Sequence, residues 1–150
     1  MGESGYRRPE SVLVVVYTAA GEVLLIKRRQ PVDFWQSVTG SLELNELPLQ
    51  AAYRELAEET GIVPASVIDC RKTFEFEINS RWRRRYAPGV TINTEHWFLC
   101  ELPEKPETIA LAADEHTQYQ WLSVEKAVDT VSSRSNRAAL KEFVVPRLSL

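Results

Sequence analysis

The sequence has few cysteines and no long apolar run, and each of these scarcities excludes a class of protein. Its 150 residues include two cysteines, Cys70 and Cys100, which do not form a CxxC pair. This spacing argues against a disulfide framework or a zinc site and favours a reducing, cytoplasmic compartment. No apolar stretch is long enough to cross a bilayer, and the N-terminal segment lacks the apolar run of a secretory signal. We therefore expect a cytoplasmic protein with no membrane partner.

An excess of positive charge is also missing, because the net charge is -3. Such a chain has no overall basic field to draw it onto nucleic acid, so we expect no nucleic-acid partner. The composition is 44% hydrophobic and 26% charged, which is ordinary for a globular protein. The length fits one domain with a sizeable core, and we expect that domain to span residues 1–150.

The order of predicted elements indicates a mixed α/β fold. Two apolar stretches, SVLVVVYTA and EVLLIKRR, predict a hairpin of buried strands. The segment LPLQAAYRELAEET predicts a helix that ends at Gly61, with an apolar stripe of Leu49, Ala52 and Leu56. Two further strands, a long loop and a last strand follow, and then VEKAVDTV predicts a short helix and NRAALKEFVVPRL a longer C-terminal helix. This order indicates a mixed α/β sandwich.

The predicted central helix carries an unusual cluster of glutamates. Glu55, Glu58 and Glu59 are spaced i, i+3 and i+4, so their carboxylates share one helical face. Each like-charge pair costs roughly 0.2–0.5 kcal/mol in an isolated helix. Spacing alone leaves two interpretations open, a solvated helix face or a site for a hard cation such as Mg²⁺ or Mn²⁺.

The whole pattern around these glutamates resembles the Nudix box. It runs from Gly40 through Glu46 and the segment RELAEE to Gly61 and Ile62. The resemblance implies a Nudix fold, an α+β fold with a mixed β-sheet sandwiched between helices, and hydrolysis of a phosphoanhydride with Mg²⁺ or Mn²⁺. It also implies roles for particular residues: Glu55, Glu58, Glu59 and the Gly40 carbonyl as metal ligands, and Glu46 and Arg54 as outer-shell residues that orient the helix and loop.

A late loop, LAADEHTQYQWL, offers a further carboxylate. Nudix enzymes often take another glutamate from such a loop, so the resemblance favours Glu115 as a metal ligand or a catalytic base. The alternative is an ordinary surface loop. His116 titrates near neutral pH when unperturbed, but a lone histidine in a loop is expected to be exposed.

Segments outside the box are similar to one bacterial branch of this family. They include YRRPESVLVVVY, DFWQSVTGS and EHTQYQWL. The similarity implies cleavage of the small molecule 7,8-dihydroneopterin triphosphate to its monophosphate and pyrophosphate, a step of folate biosynthesis. It also implies substrate contacts at Arg7, Arg28, Thr39 and Ser133. Simpler roles remain open for three of them: a solvated tail residue for Arg7, a turn residue for Thr39 and a helix cap for Ser133.

Other interpretations of the function remain. A purine shares the fused bicyclic shape of a pterin, so hydrolysis of dATP is the first alternative. A non-catalytic nucleotide- or RNA-binding Nudix module is the second. The segment RWRRRYAPG is a basic loop near an anionic substrate, a dimer contact or a solvated loop. Phe34 and Trp35 either stack on a bicyclic ring or belong to the core. The oligomeric state is left open.

Overall fold

The computed structural model describes residues 5–148, and within them seven strands form one mixed sheet. The order is β3–β2–β1–β6–β5, with β4 added beside β1 and β7 beside β2. β1 and β6 run parallel, and the other pairs are antiparallel. The strands are β1 (Glu10–Thr18), β2 (Glu22–Arg28), β3 (Trp35–Gln36), β4 (Val38–Ser41), β5 (Ile68–Glu77), β6 (Ile92–Leu102) and β7 (His116–Ser123).

The central strand β1 is apolar from Val12 to Val16, and these residues are covered on both faces of the sheet. Its residues Val12, Val14 and Val16 pack in one core cluster with the helix α1 (Pro48–Thr60). The alternate residues, including Leu13 and Val15, pack in a second cluster with the C-terminal helices. We call these two sides of the sheet the α1 face and the α3 face. The predicted sheet between helices is therefore confirmed.

The C-terminal helical region is divided rather than continuous. It comprises α2 (Val124–Thr130), α3 (Arg134–Ala139), a π-helical turn over Leu140–Val144 and α4 (Val145–Leu148). The sequence predicted a short helix followed by one longer helix, which the π-helical turn interrupts. Within residues 5–148, no helix is both long and apolar enough to span a membrane.

Helix α1 has the predicted bounds but a different buried stripe. Gly61 ends it with φ of 77°, and its N–H donates to the Ala57 carbonyl at 3.0 Å. Leu49, predicted to be in the stripe, is 43% exposed, so this prediction was wrong. The stripe is rotated toward the sheet, and its buried residues are Ala51, Ala52, Glu55, Leu56, Glu59 and Thr60. The rotation places two glutamates against the sheet.

The pairing of β1 opens a fork in the sheet. Along Ser11–Val14, β1 pairs with β4, whereas its pairing with β2 is at Tyr17 and Val23. β4 and β2 therefore diverge. The end of β2, at Arg28, and the start of β7, at His116, lie beside the gap between them. The predicted long loop between β5 and β6 contains a 3₁₀ helix over Ser80–Arg85.

Candidate active site

A close contact between β4 and α1 lies at the centre of the site. The carboxylate of Glu55 lies against the Cα of Gly40, because a Cβ built on Gly40 would come within 2.0 Å of the Glu55 Cδ and Oε2. No other amino acid fits this position without moving that carboxylate. The glycine therefore allows α1 to bring an acidic group directly onto the strand.

Glu59 lies one turn further along α1 and is more deeply buried. It is 3% exposed, and its Oε1 has no hydrogen-bond partner among residues 5–148. Burial raises the pKa of Glu59, and the neighbouring Glu55 and Glu115 raise it further, while a backbone hydrogen bond from Thr39 opposes them. Burial also raises the pKa of Glu55, although hydrogen bonds and the charge of Arg54 act in the other direction. The site thus brings two carboxyl groups together in a poorly solvated place.

Arg54 gathers the acidic groups of the loop and helix. Its Nε and Nη2 donate to the two carboxylate oxygens of Glu46 at 2.8 and 2.9 Å, and Nη2 also donates to the Ser41 carbonyl at 2.9 Å. Its Nη1 donates to Glu55 at 2.9 Å and to Glu58 at 3.1 Å. A planar guanidinium can hold several acceptors at once, so Arg54 fixes the loop before α1 to the helix itself.

The structure does not gather all the predicted ligands. The Glu58 side chain is 57% exposed and turns toward Arg54, and Glu115 is exposed on its loop. Across the described part of the chain, no three acidic, histidine or cysteine side chains converge into a ready metal cluster. Glu55 and Glu59 do meet through a hydrogen bond. Their buried oxygens, one of them unpaired, suit a hard divalent cation.

His116 borders the same carboxylates, contrary to the expectation of an exposed loop residue. It begins β7, pairs with Arg28 and is 4% exposed. Its Nε2 lies 3.5 Å from the Gln36 Nε2 and 3.9 Å from the Glu59 Oε1. Burial lowers its pKa, and the charge of Arg28 lowers it further. The pairing of β7 with β2 buries this ring, and the local sequence does not contain that information.

Arg28, at the end of β2, brings positive charge to the fork. Its guanidinium lies 5.1 Å from the centre of the Phe34 ring. Burial lowers its pKa, whereas the charges of Glu59 and Glu115 raise it. Phe34 is thus covered by Arg28, and Trp35 packs against the core of the α3 face. The Arg28 guanidinium therefore lies close enough to Glu59 and Glu115 for their charges to act on its pKa.

The other predicted substrate contacts lie in three separate parts of the structure. The Thr39 hydroxyl, on β4, lies 3.4 Å from the Gln36 Nε2. Ser133 caps α3, since its hydroxyl accepts a hydrogen bond from the Asn136 N–H at 3.1 Å. Arg7 is exposed, and its backbone N–H donates to the Arg85 carbonyl at 2.6 Å. Arg7 therefore lies beside the basic loop, at Arg85.

Sequence reasoning missed Arg8. Its Nη1 donates to the carbonyls of Glu43 and Glu46 at 3.0 and 2.8 Å, and its Nε donates to Glu10 at 2.7 Å. Arg8 thus supports the loop that Arg54 holds from the other side. Positive φ at Asn45, 65°, turns this loop. An arginine next to a strand start gives no distinct sequence signal for this role, because its partners in the loop, Glu43 and Glu46, lie more than thirty residues away.

Two surface clefts lie away from the buried carboxylates. One, of about 420 Å³, is beside the β5–β6 loop, and the other, of about 340 Å³, is beside the start of α1. The first is lined by Tyr6, Arg83, Arg84, Tyr86, Ala87, Pro88, Gly89, Val90 and Thr91. Neither cleft has Glu55 or Glu59 in its lining. The chemistry of the carboxylates, rather than cleft volume, identifies the candidate site.

Comparisons with known proteins agree with this geometry. The NUDIX domain model matches residues 7–143. The dihydroneopterin triphosphate diphosphatase of Escherichia coli K12 is 46% identical over 150 residues, covering 97% of this chain and 98% of that protein. The Haemophilus influenzae protein of the same name is 41% identical over 144 residues, covering 93% and 89%. The solved structure of the E. coli dihydroneopterin triphosphate pyrophosphohydrolase has a TM-score of 0.85 and 47% identity, covering 94% of this chain and 98% of that one.

Proposed function

Because this chain belongs to the Nudix family, we propose that it hydrolyses 7,8-dihydroneopterin triphosphate to the monophosphate and pyrophosphate, a step of folate biosynthesis. The observation that carries this proposal is the 46% identity to the E. coli dihydroneopterin triphosphate diphosphatase over 97% of the chain. The buried carboxylates of Glu55 and Glu59 and the guanidinium of Arg28 are the kinds of group that such a reaction needs.

Nudix hydrolases typically use divalent metal ions, and for this chain we assign Mg²⁺, with Mn²⁺ as its substitute. Glu55, Glu59 and the Gly40 carbonyl would hold the ion, joined by Glu58 and Glu115. When bound, the ion neutralises charge on phosphate oxygens and lowers the pKa of bound water. The unpaired, buried oxygen of Glu59 supports this assignment.

The remaining residues bind the substrate or orient the carboxylates. Arg54, held by Glu46, fixes the Glu55 carboxylate against Gly40. Arg28 presents a guanidinium, which can pair with phosphate oxygens through two parallel hydrogen bonds. Further substrate contacts are assigned to Arg7, Thr39 and Ser133. The base that takes the proton from water is one of the carboxylates named above.

Three broader predictions accompany this function. We propose that residues 1–150 form a single hydrolase domain, that its partner is a small-molecule triphosphate and that it acts in the cytoplasm.

The test is a comparison of two substrates under identical conditions. The protein is incubated with Mg²⁺ and either dihydroneopterin triphosphate or dATP, and pyrophosphate release gives kcat/KM for each. We expect a clear preference for the pterin, and we expect Glu59→Gln to lose most turnover. Glu104→Gln, which changes an exposed glutamate after β6, is the matched control and should keep full activity.

Other outcomes would point elsewhere. A preference for dATP would make the protein a hydrolase of the nucleotide pool. Metal-independent turnover, or turnover that survives Glu59→Gln, would contradict the assigned carboxylate site. Turnover of neither substrate would favour a module that binds nucleotides without cleaving them.

A further inference from the structure

A buried carboxylate lies outside the hydrolytic site, on the other face of the sheet. The α3 face is apolar along Leu13, Val15 and Trp97, but at one end it becomes polar. Ser11, on β1, and Asn93 and Glu95, on β6, lie there on the same face, because alternate residues of a strand share a side. Asn93 is 3% exposed and Glu95 is 6% exposed, so the change to polar residues is not a solvated edge.

Glu95 has partners, but they leave it acceptor capacity. The Trp97 Nε1 donates to its Oε1 at 3.0 Å, and the Ser135 hydroxyl also hydrogen-bonds it. An ionised carboxylate offers about four acceptor positions. Burial raises the pKa of Glu95. Further N–H donors would therefore stabilise a charge that is costly in this place.

This polar end is connected to the candidate active site. Ser11 pairs with Glu95 on one side and with Ser41 on the other, so the three residues form one row across the sheet. Two strand spacings, about 10 Å, separate the ends of this row. Ser41 directly follows Gly40, and Gly40 contacts Glu55 on the α1 face of the sheet. The row from Ser41 to Glu95 therefore joins the polar cluster to the strand that carries Gly40.

The start of α3 closes this region from above. The Ser133 hydroxyl, a predicted substrate contact, lies 3.1 Å from the Ser135 hydroxyl that reaches Glu95. The Asn136 side chain accepts from the Ser37 N–H at 2.8 Å and donates to the Ser37 hydroxyl at 3.0 Å. The helix is therefore fixed to the junction between β3 and β4, and the polar cluster keeps its shape.

We propose that Glu95 determines ring specificity by accepting hydrogen bonds from the N3–H and the 2-amino group of the pterin. This rests on the proposed function. A pterin presents these two donors side by side, and guanine presents the same pair at its N1–H and 2-amino group. Adenine instead presents an amino donor beside an acceptor nitrogen, which a carboxylate repels. A buried group that is left unpaired by the wrong ring gives strong discrimination.

The decisive variant is Glu95→Gln, which replaces one acceptor oxygen with an amide donor of the same size. The amide oxygen can still accept from Trp97, so the structural contact is retained. Binding of three triphosphates is measured by calorimetry with Ca²⁺ in place of Mg²⁺. We expect the affinity for dihydroneopterin triphosphate and for dGTP to fall by about tenfold or more, and the affinity for dATP to stay or rise.

Glu101→Gln is the matched control. Glu101 lies on the same strand and face, where it accepts from the Tyr17 hydroxyl at 2.8 Å, and its substitution should change none of the three affinities. Equal losses for all three ligands in Glu95→Gln, or no loss at all, would overturn the proposal and leave Glu95 as a partner of Trp97. Thermal unfolding of each variant shows that the fold is retained.

The experiment separates this proposal from the proposed function. The guanine and adenine ligands test the role of Glu95 through binding, without dependence on hydrolysis. Suppose that the wild-type protein failed to cleave dihydroneopterin triphosphate, but that Glu95→Gln weakened the binding of dGTP and left the binding of dATP unchanged. The hydrolytic assignment would then fail, and the role of Glu95 would stand.

Discussion

At the scale of single residues, the tightest constraint in the molecule is the contact between Gly40 and Glu55. The sequence motif required a glycine here, and the family resemblance assigned its carbonyl to a metal. The structure adds a steric reason, because the carboxylate occupies the place where any Cβ would lie. Glu55 is also held by Arg54 at 2.9 Å. The carboxylate therefore has little freedom to move aside without losing that partner.

Substituting this glycine should separate catalysis from folding. In Gly40→Ala, the new methyl group displaces the Glu55 carboxylate, and a shift of this kind can lower kcat on the order of 10- to 100-fold. Overpacking costs roughly 1–3 kcal/mol of stability, so the variant should still fold. Gly5→Ala is the control, because nothing lies within 4 Å of that position. Wild-type kcat in Gly40→Ala would show that the contact is not needed for turnover.

At the scale of elements, the loop and helix from Gly40 to Gly61 show what local sequence can predict. The helix start at Pro48, its end at Gly61 and the left-handed turn at Asn45 all follow from the preferences of single residues. The exposure of Leu49 could not be predicted in this way, since it depends on how α1 rotates against β1 and β4. The burial of His116 depends likewise on the distant pairing of β7 with β2.

The ion pair of Glu46 and Arg54 should stabilise this unit in a pH-dependent manner. The hydrogen bonds from Arg54 lower the pKa of Glu46, although burial opposes them. A carboxyl group with a lowered folded-state pKa stabilises the fold above its unfolded value near 4.5. This stabilisation is lost as the pH falls through the folded-state pKa. Glu46→Gln should therefore lose about 1–3 kcal/mol at pH 7.

Denaturant unfolding at several pH values would check this prediction. The difference between wild type and Glu46→Gln should shrink as the pH drops below the unfolded pKa. Glu43→Gln is a suitable control, because the Glu43 side chain is 68% exposed and lies 3.9 Å from Arg54. A difference that stays constant down to low pH would assign the effect to packing instead of charge.

At the scale of the whole molecule, the sheet separates two clusters of buried polar side chains. The α1 face holds the acidic pair of Glu55 and Glu59, and the α3 face holds the cluster around Glu95. The sequence predicted the glutamates of α1 because they form a recognisable motif. It did not predict the second cluster, since its members come from β1, β6 and α3 and meet only when the sheet closes against the C-terminal helices.

The acidic pair should couple divalent cations to the stability of the whole fold. Burial and the nearby carboxylates raise the folded-state pKa of Glu59 above its ordinary value. For such a group, stability is fully present below the unfolded pKa and is lost progressively as the pH rises toward the folded one. A bound cation offsets this loss, because it stabilises the ionised pair. At a hundredfold excess over its Kd, it should contribute about 2.7 kcal/mol, or roughly 5–10 °C in Tm.

Thermal unfolding with and without Mg²⁺ at pH 6 and pH 8 would measure this coupling. We expect wild type to gain stability from Mg²⁺ at pH 8 and to lose the gain when a chelator is added. Glu59→Gln removes the ionisable group, so it should be more stable than wild type without metal and should gain little from Mg²⁺. Glu104→Gln should keep the wild-type response. If Mg²⁺ stabilised Glu59→Gln as much as wild type, the cation would bind elsewhere, because binding would then not need the Glu59 carboxylate.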